Sequence, residues 1–378
     1  MIHKYIKVMI SLLLIFSFIF QPYSIYAVEY NTQLSADKSI NSNTAIEKVI
    51  SAIRSFNSEC TWTNTTSISS CTPTYDINET LNGYIYELRT KDISSGFIQV
   101  LLTSDNTFIV DSYSFSGEHN ALKAIRNNMS DDIFSYDTSK LIYSGGFSYS
   151  FKKKESNSTA IKAFDVLSRQ EVNIEYNINL SHFNYTDNRS IAEPTAFGTK
   201  TVYVLNYKSF SLNSYDTISN SERNKCQIIC LLNISRYWKE CRNKTNMFDI
   251  NTLSELEKLL PVKPGLLGGI SSADAYNKYQ TYIKNRGYSI VKKGTLPSTL
   301  WTWSNVKFII DQGIPFTASD ATHAVAVFGY QYQVEVDESL IPYGLVIADP
   351  QNTTTTYKAF SSFVPNTNAN SYAFYVGI

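Results

Sequence analysis

Hydrophobic and polar positions alternate with two different periods in the first part of the chain. Apolar residues at spacings of three and four predict an amphipathic helix over 43–56, capped by Asn43 or Thr44. Apolar segments separated by turn-forming residues then predict strands at 83–88, 96–103 and 107–114. A short helix at 121–129 and further strand over 140–151 follow. A helix followed by an antiparallel meander is a small α+β unit.

The hydrophobic period disappears between residues 183 and 200. This stretch is polar and turn-prone, and it predicts an exposed linker that a protease can cut. Residues 201–378 then predict helices first and an antiparallel sheet second, which is an α+β arrangement with a cysteine-bearing helix packed on the sheet. The later helices are predicted at 253–260, 271–286 and 303–312, and the strands at 314–318, 323–330, 344–349 and 371–376.

The first 27 residues have the pattern of a secretory signal. A basic start with Lys4 and Lys7 precedes an apolar run over 8–20, and Ala27 is a small residue suited to cleavage. The run is short for a membrane span, which disfavours the alternative of an uncleaved anchor. We therefore predict an exported protein, extracellular or held at the cell surface. Its parts are a signal peptide at 1–27, an α+β unit at 28–182, the linker at 183–200 and a second unit at 201–378.

The charge composition argues against two classes of partner. Lys and Arg number 33, and Asp and Glu also number 33. The chain therefore has no excess positive charge for nucleic acid, or for an anionic membrane after the signal is removed. The 27 tyrosines favour a β-rich protein.

Export permits disulfides, and this makes the five cysteines informative. Cys60 and Cys71 flank a polar loop, and we expect them to close it as a local disulfide. In a continuous helix Cys230 and Cys241 lie about 16 Å apart at about 1.5 Å per residue, too far for a bridge. Cys226 and Cys230 are one turn apart, where a bridge would strain the helix. At least one of these three thiols is therefore expected to be free.

Cys226 lies at the predicted start of an apolar helix. Polar residues over 221–225 lead into it, and apolar side chains at spacings of three and four continue to Trp238. The unpaired backbone N–H groups and the dipole at a helix start favour an anion, so the thiolate of Cys226 is a candidate nucleophile. The alternative is a cysteine of the core or of a disulfide.

His323 is the candidate base. A histidine before an apolar strand is often structural, but His323 is the only histidine after the predicted linker. An imidazole base from the same unit as Cys226 must therefore be His323. Asp349 ends the next strand, and adjacent antiparallel strands would bring it close enough to orient the imidazole. Asn352 is the alternative orienting residue, and Asp349 would then be a simple turn residue.

The sequence disfavours a metal site. Cys226, Cys230 and His323 would need a fourth ligand, and no nearby spacing supplies one. We therefore predict neither a metal nor another cofactor.

Several short motifs resemble those of secreted bacterial papain-like cysteine peptidases. The run from Asn224 through Cys226 and Cys230 to Tyr237-Trp238 is similar to their nucleophile helix. Segments 303–315, 323–330 and 349–350 resemble the blocks of the branch related to bacteriocin leader-processing peptidases. Segments 96–100 and 109–114 are similar to the pro-regions of staphopain- and streptopain-like enzymes. Together the resemblance covers most of the exported chain.

The resemblance implies a papain-like catalytic domain preceded by a pro-region that covers the active-site cleft. It implies a secreted cysteine endopeptidase, made as a precursor, that hydrolyses peptide or protein substrates through Cys226, His323 and Asp349. In this family a side chain six residues before the cysteine helps to bind the oxyanion, and that position is Asn220 here.

The sequence also departs from the family pattern. The family usually has Gly-Pro-Thr-Ala after the cysteine, whereas residues 227–230 are Gln-Ile-Ile-Cys, and Asn220 stands where a glutamine is usual. This departure supports a second hypothesis. In it, a catalytically weakened or inactive papain-like scaffold acts as an extracellular binding or adhesion protein.

Overall fold

The computed structural model describes most of the chain from residue 36 onward. The predicted signal peptide, the predicted linker and Asn220 lie outside the described residues. The chain divides into two units, Met1–Asn41 and Ser42–Ile378. Residues 36–41, which begin a helix, are the described part of the first unit. The described residues are 36–102, 108–128, 133, 135–154, 161–167, 170–174, 201–218, 225–262, 270–319, 323–336, 339–363 and 372–378.

Six α-helices lie within the described residues. They are α1 (Ala36–Phe56), α2 (Asn120–Asn128), α3 (Cys226–Arg242), α4 (Thr252–Leu259), α5 (Ser272–Asn285) and α6 (Trp303–Asp311). Each overlaps a helix that the apolar spacing predicts, although α1 begins seven residues before the predicted start at 43. None of the described helices is long and apolar enough to cross a membrane.

The first eight strands precede the predicted linker. They are β1 (Thr66–Tyr75), β2 (Leu81–Thr90), β3 (Ile93–Leu102), β4 (Phe108–Ser114), β5 (Tyr136–Tyr143), β6 (Tyr149–Lys153), β7 (Ile161–Asp165) and β8 (Gln170–Ile174). Strands β1 to β4 form an antiparallel meander. Strand β5 pairs in parallel with β1, and β5 to β8 continue antiparallel.

Nine further strands follow the predicted linker. They are β9 (Val202–Tyr203), β10 (Lys292–Pro297), β11 (Phe316–Ser319), β12 (Ala324–Gln331), β13 (Val334–Val336), β14 (Ser339–Ile341), β15 (Gly344–Ala348), β16 (Thr355–Ala359) and β17 (Tyr372–Gly377). Strands β10, β17, β11, β12, β15 and β16 pair in that order, each antiparallel to the next. Strand β9 also pairs with β12, and a Cβ at Gly329 would lie 2.6 Å from the Val202 carbonyl oxygen. Glycine is therefore needed there.

Strand β4 joins the two groups of strands. It pairs antiparallel with β16, where Tyr113 lies opposite Tyr357, and in parallel with β14. Residues 42–174 and 201–378 thus contribute to one connected, mostly antiparallel sheet, and the chain has the mixed α and β architecture that the sequence predicts. The boundary predicted at 183–200 lies outside the described residues and stays a prediction.

Two expectations for the segment around Cys71 are wrong in the structure. Residues 66–75 form a full strand rather than a polar loop, because β2 satisfies the backbone of β1 although neither face of β1 is strongly apolar. The thiols of Cys60 and Cys71 are both free, so the predicted disulfide is not formed. The two cysteines have different neighbours: Cys71 lies opposite Tyr86 on β2, and the Cys60 N–H donates to the Asn57 carbonyl at 3.0 Å.

One hydrophobic cluster spans both sides of the predicted linker. Helix α3 supplies its centre, with Leu231, Tyr237 and Trp238 almost fully buried, and α3 packs against β12. Phe147 and Phe151, from the first group of strands, belong to the same cluster. Helix α3 ends at Asn243, which adopts a left-handed conformation (φ 56°).

A buried ion pair lies where β4 meets β16. The Lys358 ammonium donates to the Asp111 carboxylate at 2.7 Å, and both residues are almost completely buried. Tyr143 donates to the same carboxylate oxygen at 2.9 Å, and Ser362 donates to the other. Residues from before and after the predicted linker therefore neutralise one another inside the shared core.

We predict that Lys358→Met destabilises the protein by about 3–5 kcal/mol, because it leaves the buried Asp111 carboxylate without its cation. Urea unfolding of the exported chain measures this loss. Lys162→Met is a matched control, since the Lys162–Glu171 pair on β7 and β8 is solvent-exposed, and we expect it to cost less than about 1 kcal/mol. Equal losses in the two variants would contradict the prediction.

Candidate active site

Cys226 is the first residue of α3, as the sequence predicts. The preceding residue, Lys225, makes no side-chain cap, and its carbonyl accepts from the Ile229 N–H at 3.0 Å as the helix begins. The N–H groups of the first turn before Ile229 have no acceptor within an α-helix and point toward the helix start. The thiol of Cys226 is partly exposed at this end.

The positive charge next to Cys226 is already paired. Lys225 is buried, and its ammonium lies 2.9 Å from Glu257 on α4. This pair offsets the unfavourable position of a cation at a helix start. It also attaches the beginning of α3 to a second helix.

Strand pairing brings Asp349 to His323. Strands β12 and β15 pair with Ala326 opposite Ala348, so one further step places Asp349 opposite Val325. His323 lies two residues before Val325 and therefore on the same face. The Nε2 of His323 is 2.9 Å from Oδ1 of Asp349, as we predicted from adjacent antiparallel strands.

The same geometry directs His323 toward the thiol. Because Nε2 faces Asp349, Nδ1 is the ring nitrogen left for Cys226, and Cys226 is one of the side chains whose interaction raises the pKa of His323. Burial by itself lowers the pKa of His323. The charge of Asp349 and the hydrogen bonds to Asp349 and Cys226 outweigh burial and raise the pKa well above its usual value. The three predicted catalytic residues thus form one chain of contacts.

Cys230 lies one turn further along α3 and has a different environment. It is completely buried. Burial raises the pKa of its thiol well above the usual value, and the neighbouring Cys226 and Asp349 raise it further. Cys230 is therefore a core thiol, whereas Cys226 is accessible.

Asp349 is held by three hydrogen bonds besides the one to His323. Its Oδ1 accepts from the Gln351 N–H at 2.9 Å, its carbonyl accepts from the Asn352 N–H at 2.8 Å, and its Oδ2 accepts from the side-chain amide of Asn120. The carboxylate is 1% exposed, so its orientation is set by these donors.

Two residues from before the predicted linker contact Asp349 or His323, and the sequence gives no sign of either contact. Asn120 begins α2 and bonds to Asp349, and the ring of Phe147 meets the His323 ring edge-on with centroids 5.1 Å apart. Asn120 is 229 positions from Asp349 in sequence. No local pattern reports a contact at that separation, so only the joined sheet reveals it.

Asn352 and Asn220 are the other two site residues that the sequence analysis proposes. Asn352 is 5% exposed, because the turn after Asp349 packs it inward. Its side-chain nitrogen has no hydrogen-bond partner within the described residues. Asn220 lies outside the described residues. In the described part of the chain, no group of three or more His, Cys, Asp or Glu side chains is arranged to hold a metal ion.

The bulky residues after Cys226 point into the core. Ile228 and Ile229 are completely buried and Gln227 is 3% exposed. Their bulk is taken up beneath the helix and does not fill the space in front of the thiol.

The chain matches no known family description and no curated protein.

We predict that Asp349→Asn lowers the pKa of His323, since it removes the charge that raises it. In the wild type the imidazolium persists until the pH rises through its elevated pKa, and in the variant it is lost at lower pH. NMR titration of the histidines measures the shift, and Asn352→Ala is the control that leaves the Asp349 contact in place. A larger shift from Asn352→Ala would make the amide the orienting group.

Proposed function

We propose that the protein is a secreted cysteine peptidase with a papain-like catalytic domain, made as a precursor. The observation that carries this proposal is the chain of contacts from Cys226 through His323 to Asp349. A partly exposed thiol at a helix start, bonded to an imidazole that a buried carboxylate orients, is the arrangement that nucleophilic catalysis by cysteine requires.

The chemistry follows from these positions. His323 accepts the thiol proton, which leaves a thiolate and an imidazolium flanked by the Asp349 carboxylate. The thiolate attacks the carbonyl carbon of a peptide, and the N–H of Cys226 at the helix start binds the oxyanion. The resemblance to papain-like peptidases implies Asn220 as a second donor. The imidazolium then protonates the leaving amine. Water, activated by the neutral imidazole, hydrolyses the thioester and restores the thiol.

The precursor part of the proposal is supported by the contacts of Asn120 and Phe147. Phe147 packs on the base and Asn120 bonds to the residue that orients it, so residues before the predicted linker share the site with residues after it. A substrate that reaches His323 must displace the Phe147 ring. We propose that residues 42–174 act as a pro-region that covers the cleft until the chain is cut.

A binding or adhesion protein on an inactive scaffold is the second candidate. The shared core and the buried Asp111–Lys358 pair favour it, because both would hold Phe147 over His323 permanently in an uncut chain. Reactivity of Cys226 separates the two candidates. A scaffold that has lost catalysis does not need an accessible thiol paired with an imidazole.

We predict that an epoxide or vinyl-sulfone inhibitor labels Cys226 near neutral pH, and that Cys226→Ser abolishes both labelling and peptide hydrolysis. Cys230→Ala is the matched control one helical turn away, and it should retain both because its thiol is buried. Mass mapping of the adduct on purified protein beginning at Val28 identifies the residue. Adduct on Cys230, or equal loss from both variants, would refute the assignment.

We also predict that maturation cuts between residues 183 and 200. The catalytic fragment would have 178 to 195 residues, about 20 kDa out of the 42.8 kDa of the 378-residue chain. Labelling of Cys226 should accelerate once the two fragments separate, because Phe147 leaves His323. N-terminal sequencing and labelling rates of cut and uncut protein measure this. An active species that keeps residues 28–180 covalently attached would argue against a precursor.

A further inference from the structure

We propose that Gln227 is a positioning residue that sets the separation between the Cys226 thiol and the His323 imidazole. This inference rests on the proposed function, and it concerns a residue that touches neither substrate nor reacting atoms. Gln227 directly follows Cys226, and its side chain points away from the cleft into the protein, where it is 3% exposed.

Gln227 joins two serines from different elements. Its Nε2 donates to Ser319 Oγ at 2.8 Å and to Ser272 Oγ at 3.0 Å, and the two hydroxyl oxygens lie 3.0 Å apart. Both amide hydrogens are therefore used, and the three groups form a closed ring of hydrogen bonds. Few residue types can make this ring, because it needs two donors on one atom.

The ring of hydrogen bonds connects the residue after Cys226 to the strand pair next to His323. Ser319 ends β11 and lies opposite Ala324, the residue directly after His323. Ser272 is the first residue of α5, whose start is capped by Ser271. A single side chain therefore ties the start of α3 to the strand pair that holds His323, with the start of α5 as the third attachment.

Stability alone does not explain a glutamine at this position. Its Oε1 is buried and has no hydrogen-bond partner within the described residues. A buried acceptor without a donor is destabilising, whereas methionine would fill a similar volume with no unsatisfied oxygen. Departures of this kind from the rules of stable packing concentrate at functional sites.

The ring of hydrogen bonds controls the distance between the Cys226 thiol and the His323 imidazole. A thiolate–imidazolium pair depends on its separation, and misplacement by about 1 Å is enough to cost about a hundredfold in rate. Without the ring, the start of α3 can shift relative to β11 and β12. Among the residues that the structure describes, the titratable and charged groups around Cys226 are His323 and Asp349 from the strands, Cys230 on α3, and Lys225 with its partner Glu257 from α4.

The test is the pH dependence of Cys226 alkylation by iodoacetamide in the exported chain, followed by fragment mass mapping that separates Cys226 from Cys230. We expect Gln227→Met to move the acid limb to higher pH by about one unit and to slow alkylation near pH 6 about tenfold, because a looser contact with His323 stabilises the thiolate less. Ser319→Ala should reproduce this change, and Ser319→Thr, which keeps the hydroxyl, should not.

Gln280→Met is the matched control. Gln280 is also a buried glutamine, lies on α5 and bonds to Lys293 and the Tyr276 carbonyl, away from Cys226. Its replacement should lower the melting temperature without moving the alkylation profile. If Gln227→Met does not fold, Ser319→Ala and Ser319→Thr decide the matter.

The possible outcomes separate this inference from the proposed function. An unchanged alkylation profile in Gln227→Met and Ser319→Ala, with wild-type Cys226 reactive, overturns the positioning role and leaves the peptidase proposal intact. A wild-type Cys226 that is inert in both the cut and uncut protein overturns both.

Discussion

The hydrogen bond between His323 and Asp349 is the interaction on which the site depends. It exists because β12 and β15 are neighbours in a register that places the two side chains on one face. Both strands are buried along their whole length, so a shift of one residue would exchange the side chains packed on the two faces and disrupt both. The packing that stabilises the sheet therefore also fixes the distance between base and carboxylate. Cys226 joins this pair because α3 packs on the same strand.

Two sets of buried polar groups surround the contact between His323 and Asp349. Asn120 and the Gln351 N–H hold the Asp349 carboxylate, and Gln227 with two serines holds the start of α3. An unpaired buried polar atom is costly, and within the described residues the Oδ1 of Asn120 and the Oε1 of Gln227 have no hydrogen-bond partner. Such networks give a defined geometry rather than additional stability. The helix residues that differ from the papain-like pattern belong to the buried side of this arrangement.

The residues before the predicted linker are integrated with those after it through three kinds of contact. Strand β4 pairs with β16, the core includes Phe147 and Phe151 beside α3, and Asp111 neutralises Lys358. Removal of residues 42–174 would expose the edge of β16 and leave the Lys358 ammonium without its carboxylate. In the precursor that we propose, a cut in the predicted linker would by itself leave these contacts in place, and separation of the fragments would have to overcome this buried surface.

Local patterns in the sequence were sufficient for the described helices, for nine of the seventeen described strands (β2 to β6, β11, β12, β15 and β17) and for the contact between His323 and Asp349. The apolar spacing placed Cys226 at a helix start, and the single histidine after the linker limited the choice of base. The same patterns failed for the other eight strands, among them β1, whose polar faces carry no strand period, and for the disulfide between Cys60 and Cys71, which are both free thiols. Only the tertiary structure decided that Asn120, Phe147 and Gln227 surround the site. Their contacts join residues about 45 to 230 positions apart, and no local periodicity can encode a contact that depends on how whole strands and helices pack.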